Sequence, residues 1–133
     1  MINMNSKAQS AIEFLILIGA LMFFLAAILL VFQSQITSKN DEALNSRVVE
    51  IAEDAQKEVA LASSASDGYR RSFSLPQKAL SREYNISVIS NSIYVRTVDG
   101  LHAISVPVSN VTGNFQIGQN TITKQNNTVY LNV

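Results

Sequence analysis

The hydrophobic pattern of the chain changes twice, and each of its three stretches predicts a different element. From Phe14 to Phe32, nineteen consecutive residues (FLILIGALMFFLAAILLVF) carry no charge, no proline and no hydrogen-bonding side chain. A helix rises about 1.5 Å per residue, so this run spans roughly 28 Å, close to the hydrocarbon thickness of a bilayer. From Gln33 to Ser63 the recurring apolar positions are Leu44, Val48, Ile51, Ala55, Val59 and Ala62, at spacings of four, three, four, four and three. That is one stripe at the helical period, with Asp41, Glu42, Glu50, Glu53, Asp54, Lys57 and Glu58 mostly on the other faces. No proline or glycine interrupts it. The reading is therefore one helix from about Ser10 to Ser63, with a break near Ser34-Gln35 or Thr37-Ser38 as the alternative.

The third stretch opens with Ser63-Ser64-Ala65-Ser66-Asp67-Gly68, a cluster of helix breakers. Strand-like segments follow at 69–75, 84–90, 92–98, 101–106, 115–117, 120–124 and 128–133. Tyr84, Ile86 and Val88 alternate with polar residues at period two. Asp99-Gly100, between β-branched runs, predicts a hairpin with a type I′ turn, which needs positive φ at both central residues. Gly118-Gln119 and Gln125-Asn126-Asn127 read as the later turns, and Pro107 as the end or edge of the fourth strand. About 65 residues of antiparallel structure bury too little surface to be comfortably stable alone. Docking on the 44–62 stripe supplies the missing core. The expected class is α+β: a long N-terminal hydrophobic and amphipathic helix, with a small antiparallel β-sheet domain packed on its C-terminal half.

Composition narrows the chemistry. Ten basic and ten acidic residues leave no net charge and no nucleic-acid footprint. There is no cysteine, hence no disulfide or thiolate metal site, and one histidine, His102, cannot form a histidine-based metal cluster. Alternating with Leu101 and Ala103, His102 reads as a surface strand residue. Arg70-Arg71 reads as a solvated strand start, with anion or glycan binding as the alternative. No nucleophile–base pair, phosphate loop or metal spacing is present, so the chain is read as a non-enzyme without cofactor. Asn85, Asn110 and Asn126 each begin an N-x-[ST] sequon, all within the expected β-domain.

The apolar run admits three accounts. A cleaved secretory signal has a shorter apolar core and a small-residue cleavage site, and Gln33-Ser34-Gln35-Ile36 offers none. A plain single-pass anchor fits the run but leaves Glu13, at its leading edge, without a role. The third account is carried by the residues before the run. Gln9, Glu13 and Leu17 stand at the first, fifth and ninth positions of a Q-x-S-x-E-x-x-x-L junction; the third position is Ala11, with serine one place early at Ser10. This junction resembles that of archaeal type IV pilin precursors with a class III signal peptide. The resemblance extends to Asp67-Gly68-Tyr69, the F-x-L-P at 73–76, Tyr84-Asn85-Ile86, Val98-Asp99-Gly100 and Val111-Thr112-Gly113, which are similar to the small β-domains of those pilins.

The resemblance implies cleavage between Ala8 and Gln9 by a membrane-embedded prepilin peptidase, with the apolar segment kept. The implied parts are a leader at 1–8, a membrane and filament-core helix at 9–32, an amphipathic continuation at 33–63 and an extracellular β-domain at 64–133. It implies a structural subunit that lies in the cytoplasmic membrane among lipid as a precursor. Other pilin subunits, an assembly platform and its ATPase then build it into a cell-surface filament for adhesion. Glu13 and Leu17 are the implied assembly residues, Glu13 meeting the new α-amine of a neighbouring copy. Orientation rests on the resemblance too, since Lys7 before the run is balanced by Lys39 and Arg47 after it. Gly19-Ala20 and Ala26-Ala27, seven apart, would let helices approach closely. A membrane-anchored surface module that binds a ligand through its β-domain is the alternative, as is a minor or initiating pilin; an archaellin fits less well.

Overall fold

The computed structural model describes residues 2–133. Helix α1, Ile2–Ser64, is unbroken. The polar stretch after Phe32 stays helical: Thr37 Oγ1 donates to the Gln33 carbonyl one turn back, at 3.1 Å. The hydroxyl thus finds its partner within the helix, which is not interrupted. By contacts the chain divides into two units between Asn40 and Asp41.

The first unit is helix alone. Its apolar residues are bare, from Ile18 at 37% to Phe23 at 75% exposed. Apolar surface on this scale is not tolerated in water, and the helix is long and apolar enough to cross a membrane.

The second unit is α+β. Seven strands follow the helix: β1 (Arg70–Leu75), β2 (Tyr84–Ile89), β3 (Ser92–Thr97), β4 (Ala103–Pro107), β5 (Val111–Gly113), β6 (Gly118–Gln125) and β7 (Thr128–Leu131). They form a four-stranded sheet in the order β1-β6-β7-β5 and a three-stranded sheet in the order β2-β3-β4. All pairs are antiparallel except β5 with β7. The expected helix stripe is the floor of the core: Leu44, Val48, Ile51, Ala55, Val59 and Ala62, joined by Ala52, are all buried. Ile86, Ile93, Val95, Ile122, Val129 and Leu131 come to it from the strands, each from the inward side of a period-two alternation.

Turn chemistry departs from the sequence expectation in an instructive way. At Asp99-Gly100 only Gly100 has positive φ (76°). Asp99 Oδ1 accepts from Thr97 Oγ1 at 2.6 Å and from the Leu101 amide at 3.0 Å, an aspartate turn in which Asp99 itself keeps a negative φ. Positive φ at two successive residues occurs instead at Ser90-Asn91 (49° and 59°) and Asn126-Asn127 (49° and 61°). Both are two-residue connections, Ile89 pairing Ser92 and Gln125 pairing Thr128, the geometry that favours type I′.

The expected strand at 115–117 is absent, and 111–113 takes its place. The Gln116 backbone is already occupied: its amide donates to Asn120 Oδ1 and its carbonyl accepts from Asn120 Nδ2, both at 2.7 Å. Phe115 meanwhile turns inward and meets Phe73 edge-on, ring centres 6.1 Å apart. Gly118-Gln119, expected as a turn, opens β6 opposite Leu75 and Ser74. Gly113 (φ 102°) is required where β5 meets β7, because a Cβ there would collide with the Leu131 carbonyl oxygen.

One inward position of β6 is a lysine. Helix α1 has no basic residue in its last turn. Lys124, 7% exposed, supplies the charge from β6, its Nζ donating to the carbonyls of Ser63 (2.6 Å) and Ala65 (2.8 Å). These are the orphan carbonyls of a helix end, where the macrodipole is negative. Replacing Lys124 with Met keeps the stem and removes both bonds. It is expected to destabilise the unit by about 1–3 kcal/mol, read as a lower urea midpoint with unchanged slope.

Candidate processing and assembly site

All the junction residues lie on α1 and are exposed: Ala8, Gln9, Glu13 and Leu17. Met1, the first residue of the expected leader, is outside the described residues. Gln9 and Glu13 are one turn apart, and Gln9 Nε2 donates to Glu13 Oε1 at 3.3 Å. The helix therefore places the carboxylate on the side of Gln9, where any amine created by cleavage before Gln9 would emerge. Leu17, a further turn along and 70% exposed, already lies within the apolar run. The Ala8–Gln9 peptide bond is inside the helix, and no acidic residue supports the positive end of α1 in its first turn. Cutting there requires those helical hydrogen bonds to open first.

The sequon residues are exposed as well. Asn85 is on β2, Asn110 lies just before β5, and Asn126 is at the tip of the β6–β7 turn. That turn is pinned by the Asn127 amide, which donates to Asp67 Oδ1 at 2.9 Å.

One expectation about a titratable residue is corrected. His102 precedes β4 and is not on its surface: its side chain is only 14% exposed, and Nε2 lies 4.0 Å from Asp41 Oδ1 on the helix. Beyond the aspartate turn the His102 carbonyl accepts from the Thr97 amide at 2.9 Å, and the His102 amide donates to Thr97 Oγ1 at 3.2 Å. Arg70 and Arg71 are exposed at the start of β1, as expected; the Arg71 guanidinium also lies 3.4 Å from Glu58, which is largely buried.

The Asp99 cluster has a consequence for acid stability. Thr97 Oγ1, the Leu101 amide and the Arg82 guanidinium, in that order of weight, lower the Asp99 carboxyl from 3.8 to about 2. A carboxyl whose folded value is depressed contributes stability above its unfolded value and loses it as pH falls through the folded one. The contribution is therefore whole above about pH 5, falls away through pH 4 to 2, and is gone only by about pH 1. Asp99→Asn is expected to flatten the pH dependence of thermal unfolding in that window and leave its shape above pH 5 unchanged.

A recess of the second unit, about 490 Å³, lies between the helix and the segment after β4 and is lined by Gln56, Lys57, Val59, Pro107 and Val108. Gln56 Nε2 closes one wall by donating to the Pro107 carbonyl at 2.7 Å. Among the described residues, no three histidine, cysteine or carboxylate side chains gather as metal ligands. No protein-family model, curated protein or solved structure matches the chain.

Proposed function

We propose that the chain is a structural subunit of a surface filament of the archaeal type IV pilus kind. It is made as a membrane precursor, cut between Ala8 and Gln9 by a prepilin peptidase, and assembled through its N-terminal helix. The observation that carries this reading is the coupling of three features on one unbroken helix. A Gln9–Glu13 junction leads directly into a bare apolar run, and the same helix then forms the floor of a small β-unit.

Physical chemistry supports the exchange from membrane to filament. An apolar helix can replace lipid by neighbouring helices at little hydrophobic cost, since lipid tails are as apolar as leucine. Gly19 is free for such an approach: a Cβ there would meet nothing of its own chain within 4 Å. Subunits joined head to tail without closing a ring grow into an open helical filament. The β-unit, with Asn85, Asn110 and Asn126 exposed, is the part displayed to solvent and available for glycan.

The test is electron microscopy of cells that produce the chain together with a prepilin peptidase, an assembly platform and its ATPase. Filaments that bind antibody raised against residues 64–133 are expected. A chain recovered only as a dispersed membrane protein, with no labelled filament, would contradict the proposal.

A further inference from the structure

Exposed large apolar residues of the β-unit include Ile89 at the β2–β3 turn, 58%, but three others gather at one end. Where Lys124 caps the helix, the loops carry Ser66, Asp67, Gly68, Gln125, Asn126 and Asn127, all exposed and none of them a large apolar residue. The other end is closed by residues 76–83 and by the β3–β4 turn. There Leu80 is 55% exposed, Val98 54% and Leu101 71%.

Leu80 is the least expected of the three. Ala79 and Arg82 exchange backbone hydrogen bonds, 2.8 and 3.1 Å, and Leu80 takes φ 55° within that tight turn. Left-handed backbone suits glycine or asparagine, so a leucine there carries strain with no burial to offset it. The loop is also firmly held. The Val98 amide donates to the Glu83 carbonyl at 3.0 Å, and Arg82 pairs with Asp99, so both loops form one platform.

His102, next to Leu101, lies against Asp41. The platform is therefore at the end where the chain enters the unit. Eight residues, 33–40, separate that entry from Phe32, the last residue of the membrane-length run. Whatever path they take, the nine peptide steps from Phe32 to Asp41 reach at most about 30 Å. This end is thus tethered near any membrane that the run crosses.

We propose that this end of the β-unit is a lipid-contact surface, with Leu80, Val98 and Leu101 resting in the headgroup layer of the membrane that holds the apolar helix. The proposal rests on Phe14–Phe32 as a membrane span and is independent of filament assembly. The charges nearby are mixed: Lys78 and Arg82 stand with Glu83, Asp99 and Asp41. Contact is therefore apolar, and its strength does not depend on the anionic lipid fraction.

The absence of native cysteine allows a direct test on the full chain. Leu80→Cys, Leu101→Cys, Asn126→Cys and Ile28→Cys are labelled singly with a polarity-sensitive fluorophore. Each is reconstituted sparsely in phosphatidylcholine vesicles carrying nitroxide on either headgroups or acyl chains. Leu80 and Leu101 are exposed, so their variants are expected to keep wild-type thermal unfolding. The expected result is headgroup quenching at 80 and 101 several-fold greater than at 126, unchanged when anionic lipid is added. If acyl-chain nitroxide quenches the label at 28 while 80 and 101 behave like 126, the span stands and the contact surface is overturned. A label at 28 that escapes acyl-chain quenching removes the span and the proposal with it. Shielding at 80 and 101 that disappears on dilution of the protein in lipid, without headgroup quenching, assigns the surface to a second copy and also overturns it.

Discussion

Replacing Ile51 with Asp, alone or together with Val48→Asp, is expected to unfold the β-unit while leaving the apolar helix able to enter a membrane. Ile51 is fully buried and Val48 is 1% exposed, both on the helix stripe beneath the strands. An aspartate at either position has no cation to meet within that apolar cluster. Burying an unpaired carboxylate costs several kcal/mol at least, comparable with the 5–15 kcal/mol that holds an ordinary domain together. The unit is small, so it has little reserve. Loss of slow amide exchange in β3 and β6 of the detergent-solubilised chain is the readout. Leu61→Gln is the internal control: Leu61 lies on the same helix but is 46% exposed, and surface changes of that kind usually stay within about 0.5 kcal/mol. Native-like exchange in the Ile51 variant would show that the stripe does not hold the unit.

Glu13→Gln is expected to stop filament assembly without preventing cleavage or membrane insertion. Cleavage before Gln9 would create an amine one helical turn from Glu13, and assembly would draw both into an apolar core. If Glu13 only complemented the dipole of its own helix, its loss would cost about 0.3–1 kcal/mol, and filaments would persist. If it meets the amine of a neighbouring copy away from water, removing it leaves a buried charge unpaired, at a cost of about 3–5 kcal/mol. Repeated at every subunit, that penalty is prohibitive. The two roles separate by whether correctly processed Glu13→Gln protein still polymerises. Normal filaments would reject the inter-subunit pair.

The helical half of the fold was legible because its signal is periodic and local. Leu44 to Ala62 announce a buried stripe by spacing alone, and the structure adds only Ala52 to it. The strands were legible where alternation was clean, as at Tyr84, Ile86 and Val88. Legibility failed where side chains, not the ladder, decide the backbone. Asp99 reads as half of a type I′ pair until its carboxylate is seen holding Thr97 and Leu101. Phe115–Ile117 reads as a strand until Asn120 is seen occupying the Gln116 backbone. Lys124 gives no local sign that it caps a helix ending some sixty residues earlier. At the junction the sequence supplies the residues, and the helix adds that Gln9 and Glu13 share a face. Whether an amine is ever created there is a matter of covalent chemistry.

That chemistry is the most direct test of the central claim. Intact-mass and N-terminal peptide analysis of the protein from cells containing a prepilin peptidase is expected to give a mature chain that begins at Gln9 and retains Phe14–Phe32. A native chain that still begins at Met1, or one that begins after Phe32, would contradict the account.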